Sequence, residues 1–337
     1  MRLVVYILKR LIQLVPILIG VSLITFTMAR LLPGNPAVLA AGPLGTEEQV
    51  AQIEHEMGLD RPLWEQYGRY LRDILRGDFG TSWRTGLPVS SELLQRFPAT
   101  FELITLSMLI AVLIGIPLGA LAAVRQGAGL DHAIRIVSVG GVSIPVFWSG
   151  LMLMFVFYYL LQWAPAPIGR IGFGVKPPTH ITGMYVVDSI LTMNGKALVS
   201  SLRQLALPMT TLVFAMVSPI VRITRTTMLE VAREDYVRTA RASGLRKHTI
   251  VFKDTLRNAL LPVVTTIGLQ YGYSLGGEVL VEQIFSWPGM GRYSIDAIFN
   301  VDYAPVQAFV MFVAVIYITI NLIVDITYAL LDPRIRY

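Results

Sequence analysis

The sequence predicts an all-α, polytopic membrane protein with six transmembrane helices, and three observations carry that expectation. The first is composition: 54% of the 337 residues are hydrophobic and 15% are charged, where a soluble domain carries about a quarter charged residues. The second is a set of six long apolar runs, at about 8–32, 101–124, 134–162, 204–229, 259–281 and 304–331, each long enough to cross a bilayer. The third is charge asymmetry. An even number of spans puts both termini on one side, and the segments of that side hold 16 of the 28 Lys and Arg residues. Positive charge favours the cytoplasmic face, so both termini are expected inside. With no cysteine in the chain, disulfides and thiolate metal sites are excluded.

Taken in order, Arg2, Lys9 and Arg10 precede or open the first run. The run is long, and Met28-Ala29-Arg30 lacks a small-residue cleavage pattern, so residues 1–32 read as an inner N-terminus and an uncleaved first span. The outer segment 33–100 carries six basic and nine acidic residues. Thr46 and Gln49 make a capping box for a helix to Met57, with Gly58 as its stop. "PLWEQYGRYLRDIL" sets Leu63, Tyr67, Tyr70, Leu71 and Ile74 at helical spacing, and "GDFGTSW" follows. This segment is either a cap over the spans or a docking surface for an external partner. Residues 101–331 form the core, in which Pro117 and Pro145 are expected to kink or loosen their helices. The segment 163–203, with Pro165, Pro167, Pro177 and Pro178, is expected to be irregular and without recognisable chemistry.

Energy-coupling and enzymatic motifs are sparse. Gly195-Lys196 is followed by Ala197 and lacks the earlier glycine of a phosphate loop. "GYSLG", Gly272 to Gly276, fits a hydrolase elbow, but its base would be a histidine, and His55, His132, His180 and His248 all fall in predicted loops. The glycines fit helix packing better. Gly268, Gly272 and Gly276 recur every four residues, as do Gly115 and Gly119, a small-residue ridge that admits a close neighbour. No catalytic residue, metal ligand or cofactor site is expected. Asp325, Glu278, Arg222 and Arg225 lie near span ends, where structural pairing is favoured over a proton relay.

The cytoplasmic segment between the fourth and fifth runs, 230–258, holds the main functional signal. "REDYVRTARASG" reads as a helix with Asp235 at its start, where a carboxylate suits the dipole. Tyr236, Ala240 and Gly244 fall on one stripe, with Ser243 beside them. Arg238 and Arg241 flank it, Glu234 stands at pairing distance from Arg238, and Gly244 ends the helix. A second helix, with Leu245, Thr249, Phe252 and Leu256 aligned, follows into Pro262. A lipid-bound helix favours bulky apolar residues; a stripe of alanine, serine and glycine favours a groove in a cytoplasmic protein partner.

"DYVRTARASG…LRNALLP" resembles the cytoplasmic loop motif of binding-protein-dependent ABC importer permeases. Arg238-Thr239-Ala240 stands at the E-A-A positions, Gly244 at the glycine and Leu261-Pro262 at the L-P. The departures resemble the wording of the peptide/nickel branch. "LLPGNP" (31–36), "GLDRPLWEQYGRYL" (58–71), "GDFGTS" (77–82), "GIPLGALAAV" (115–124), "SIPVFW" (143–148), "IFSWPGMGR" (284–292) and "DPRIRY" (332–337) resemble the same branch, most nearly the first membrane subunit of dipeptide importers.

That resemblance implies an ABC importer permease fold with a periplasmic helical cap between helices 1 and 2. It implies a second homologous permease subunit, two cytoplasmic ABC ATPase subunits that hold the ATP and Mg, and a periplasmic substrate-binding protein. It implies residence in the bacterial inner membrane and import of dipeptides or short peptides, with oligopeptides, nickel chelates or haem as alternatives. It places Asp235, Tyr236, Arg238, Thr239, Ala240, Arg241, Ser243 and Gly244 in a helix that couples to an ATPase, and sets 33–100 and "IFSWPGMGR" towards the binding protein. No substrate-contacting residue follows from it. An ion-coupled secondary transporter is the rival from another class, although no midplane site in broken helices is visible.

Overall fold

The computed structural model describes residues 2–31, 36–42 and 45–331. Most of "LLPGNP" and all of "DPRIRY" lie outside them. Among the described residues the fold is helical, with no strand beyond an isolated bridge between Thr81 and Pro88. The elements run α1 (Arg2–Leu31), α2 (Pro36–Ala41), α3 (Glu47–Met57), α4 (Leu63–Leu75), α5 (Val89–Val124), α6 (Gly129–Ser143) and α7 (Val146–Leu153), which passes into a π-helical stretch, Met154–Leu160. Then come α8 (Tyr185–Leu191), α9 (Gly195–Val231), α10 (Asp235–Ala242) and α11 (Lys247–Thr249), with a second π-helical stretch at Ile250–Leu256. The chain continues through α12 (Arg257–Gly277), α13 (Val279–Ile284), α14 (Met290–Phe299) and α15 (Tyr303–Leu331).

By length and composition three helices are able to cross a membrane: α5, α9 and the described part of α15 to Thr327. A fourth crossing exists if α6 and α7 with its π-helical extension are one span, bent by 99°. That bend corrects the expectation of one run over 134–162. Pro145 cannot donate the hydrogen bond a continuing helix needs, and it pushes Ile144 to extended backbone (φ −88°, ψ 125°). Pro117, by contrast, sits inside an unbroken α5. The second and fourth runs are also longer than their apolar content indicates. α5 starts at residue 89 rather than 101, and α9 at 195 rather than 204; Val89, Glu92 and Leu93 of the added α5 turns and Ala197 and Ser201 of the added α9 turns are buried against the rest of the protein.

Glycine sets how closely the long helices approach. A Cβ at Gly115 would lie 2.7 Å from Ile220 Cγ2, and one at Gly119 2.7 Å from Val221 O, so α5 and α9 touch backbone to backbone. Gly268, Gly272 and Gly276 of α12 lie against Val324, Tyr317 and Val313 of α15. The largest apolar cluster runs from Leu103, Ile104 and Met108 on α5 through Leu212, Met216 and Ile220 on α9 to Val263 and Leu275 on α12.

The segment between α1 and α5 is anchored to α1 and to the start of α15. Thr46 caps α3 in a reciprocal capping box with Gln49, and Gly58 ends it in left-handed backbone (φ 66°). On α4, Tyr67 and Tyr70 share hydrogen bonds with Ser22 (2.9 Å) and Thr25 (3.1 Å) of α1, and both rings pack on Phe26. Leu63 of the expected apolar face is exposed, so the aromatic hydroxyls carry this contact. The "GDFGTSW" turn is tied to the start of α15, where Ser82 donates to Asp302 at 2.5 Å.

Candidate functional site: two buried polar clusters and an exposed short helix

At one end of the long helices, α10 forms the short helix expected from "DYVRTARA". Thr239 and Ser243 donate back to the carbonyls of Asp235 (2.9 Å) and Thr239 (3.0 Å), and Gly244 leaves the helix at φ 73°. Arg238, Thr239, Arg241, Ser243 and Gly244 are exposed, Ala240 is half-buried, and Val237 is fully buried and holds the helix down. Tyr236 is half-exposed, and its hydroxyl bonds Asp254 O (3.3 Å) and accepts from Asn258 (3.0 Å). Two expectations change here. Arg238 pairs with Asp235 at 3.6 Å rather than with Glu234. The segment after Gly244 is one short turn and a π-helix rather than a regular second helix.

Through Tyr236 this helix is tied to Asp254 of the π-helical stretch and Asn258 of α12, which join it to the core. Thr227 of α9 donates to Ala259 O of α12 at 3.2 Å. Ala120 and Ala123 of α5, Met228 of α9 and Ala259 of α12 form one apolar cluster with Val251 and Leu256 of the π-helix. Three residues before the end of α9's buried stretch, Arg225 grips Asp131 of α6 through Nε (2.7 Å) and Nη2 (2.8 Å). Asp131 is buried and also accepts from Gly127 N (3.0 Å). A paired two-point contact of this kind fixes orientation as well as distance. Arg225 was singled out in the sequence as a pairing residue; its partner was not.

At the opposite end, residues 163–184 are irregular as expected, but α8 and the first turns of α9 complete the segment to 203, and buried polar pairs tie it to the core. Arg170, 7% exposed, donates to Glu102 of α5 at 2.6 Å, and Glu102 also accepts from Tyr185 N (3.1 Å) and Val186 N (2.7 Å) at the start of α8. The guanidinium lies 3.8 Å from the Tyr185 ring centroid. Asp188 accepts from Ile181 N, Thr182 N and Gly183 N and from the Thr182 hydroxyl. Burial raises its pKa, and those four donors outweigh that and hold the carboxyl below the usual range.

Beside it, Glu282 organises "SWPGMGR". Its carboxylate accepts from Thr100 Oγ1 (2.5 Å) and Arg292 N (3.0 Å). A Cβ at Gly289 would collide with that carboxylate, and one at Gly291 would lie 2.9 Å from Val279 Cα, which explains the glycines on either side of Met290. Trp287 donates from its indole to Ala99 O at 2.9 Å. Glu102, Arg170, Asp188 and Glu282 were missed in the sequence, since nothing local distinguishes a buried acid from an exposed one.

The hydrolase reading finds no support at Ser274, whose hydroxyl donates to Glu278 at 3.3 Å. The four histidines are also not all in loops: His55, His132 and His248 are helical. His55 meets the exposed Asp60 at 2.8 Å and lowers its pKa.

Helices locked by glycine, ionic clamps at both ends and a short exposed helix at one face define a bundle of long apolar helices of membrane-protein type. A solved structure of the MetNI methionine ABC transporter in inward-facing conformations aligns with a TM-score of 0.51 and 15% identity, covering 71% of this chain and 96% of the matched one. The fold is thus shared with a chain of that ABC transporter. The sequence matches the family described as binding-protein-dependent transport system inner membrane component over residues 115–337, and its N-terminal companion over 3–104. The chain belongs to this family, a transport rather than an enzyme family, of the inner membrane. Membership implies a substrate-binding protein and an ATPase as partners.

Its relatives include the probable D,D-dipeptide transport system permease protein DdpB of Escherichia coli, 45% identical over 96% of this chain and 94% of that one. The dipeptide transport system permease protein DppB of Alkalihalophilus pseudofirmus is 41% identical over 98% and 99%. The di/tripeptide transport system permease protein DppB of Pseudomonas aeruginosa is 43% identical over 98% of each.

Proposed function

We propose that this chain is the first of two permease subunits in an ATP-driven importer of dipeptides, spanning the inner membrane six times with both termini in the cytoplasm. The observation that carries this reading is the exposed helix α10, anchored by Val237 and tied through Tyr236 to Asp254 and Asn258, next to a π-helical stretch that packs in one apolar cluster with α5, α9 and α12. A partner that displaces α10 moves the pathway helices with it. The substrate class rests on relatives between 41% and 45% identical along nearly their whole length.

In this reading two ATPase subunits carry ATP and Mg, and a groove in one of them receives Asp235 to Gly244. Closure of the ATPase pair pulls on α10, and the Asp131–Arg225 clamp transmits the movement to α6. The outer segment 33–100 and the "IFSWPGMGR" turn receive the binding protein. Larger peptides, nickel chelates or haem remain the alternative cargo for the same machinery. Purification of this chain from its native membrane in mild detergent tests the assembly. A second permease with ATPase subunits is expected to co-purify, and the reconstituted complex to take up dipeptide only with ATP and binding protein. A lone homo-oligomer that moves solute on an ion gradient would refute the proposal.

A further inference from the structure

We infer that the cavity at the outer end of α9 is a transit subsite for the carboxylate of a short peptide, held by Lys196 and Arg203. This rests on the peptide-import reading. The cavity has a volume of about 520 Å³ and lies at the end of α9 remote from α10. A pocket of that size suits a small solute. Its walls are largely apolar, including Val175 and Val199, and no carboxylate lines it.

Lys196, Val199, Ser200 and Arg203 stand at i, i+3, i+4 and i+7 of one helix, hence on one face two turns long. Neither Lys196 nor Arg203 has an acidic partner among the described residues. Ser200 accepts from Gly172 N at 2.8 Å and so pins the neighbouring loop across the cavity. Gln204, also in the lining, is only 6% exposed, and its side chain makes no hydrogen bond among the described residues. Buried polar groups are normally paired. An amide without a protein partner, held on a buried residue with its polar atoms open to the cavity, beside two exposed cations without an acidic partner is the donor set an anionic, hydrogen-bonding solute would complete. Apolar walls next to it suit peptide side chains, whereas a bare inorganic anion would leave them wet.

The test uses Val199→Cys, the sole cysteine this chain would then hold. The variant is reconstituted as the full importer in vesicles of neutral lipid, and labelling at position 199 is read by mass spectrometry. An anionic thiosulfonate is expected to react about ten-fold faster than a cationic one, the low end of electrostatic focusing in a charged cleft. The bias should vanish in K196Q/R203Q. A dipeptide with a free C-terminal carboxylate should slow labelling, and its C-terminal amide should not. Absence of labelling, absence of charge bias, or equal protection by both peptides would overturn the inference. Protection that needs anionic phospholipid rather than peptide would overturn it too, by assigning the site to a headgroup. Dipeptide uptake by the wild-type importer is measured alongside. If it occurs, a negative result removes this subsite alone; if it does not, the peptide-import reading falls as well.

Discussion

Gly119→Ala adds one methyl group where α5 crosses α9. The new carbon would stand 2.7 Å from Thr224 Cβ and 2.7 Å from Val221 O. Carbon contacts settle at about 3.5–4.0 Å, so the helices must separate locally by about 1 Å. A backbone carbonyl cannot rotate aside as a side-chain tip can. Overpacking of this kind costs about 1–3 kcal/mol, and alanine's better helix propensity returns about 0.5–1 kcal/mol. The net expectation is a destabilisation of roughly 0–2.5 kcal/mol. Gly140→Ala is the internal control: it is also helical, but a Cβ there meets no atom within 4 Å. It should be neutral or stabilising by about 0.5–1 kcal/mol. Unfolding of both variants in mixed micelles under increasing denaturing detergent, compared with wild type, reads the difference. If Gly119→Ala is as stable as Gly140→Ala, the close approach of α5 and α9 is not what holds these helices, and the reasoning fails.

Glu102→Gln leaves Arg170 buried without its counter-charge, and breaking a buried pair from one side costs about 3–5 kcal/mol; the same unfolding measurement should show the largest single loss of the set. Asp131→Asn should lower uptake while leaving membrane insertion intact, because Arg225 loses the carboxylate that orients it; vesicle uptake beside a membrane-fraction blot separates the two. Asp188 has a folded-state pKa below its ordinary value of 3.8, so its stabilisation is present above about pH 4 and lost as pH falls through the lower folded value. Acid titration of the wild type should show that loss, and Asp188→Asn should not. At Gly244, φ 73° is open to asparagine but strained for a β-branched residue. Gly244→Asn should transport nearly normally, Gly244→Val should lose about 1–2 kcal/mol of local stability, and Gly244→Trp should insert but not transport.

Much of this protein was legible from local sequence because its cause is local. A low charged fraction and long apolar runs require helices in a bilayer, where every backbone polar group must be bonded within its own segment. The Thr46–Gln49 box and the Gly58 stop depend on residues a turn apart, and the four-residue glycine rhythm marks a helix face whatever lies against it. The α10 helix was readable for the same reason, since Asp235, Thr239 and Gly244 act on their own turn.

The tertiary structure decided which distant groups meet. Glu102 finds Arg170 across 68 residues and Asp131 finds Arg225 across 94; no periodicity encodes such pairs, because the energy that selects them is the cost of burying either charge alone. It also decided that the apolar run at 134–162 breaks at Pro145, that α5 and α9 extend past their apolar limits onto protein contacts, and that Lys196 and Arg203 line one cavity without an acid. In the sequence those two cations are indistinguishable from solvated ones. Only the packing of residues 163–184 against α9 determines what solvent and partners they are left to face.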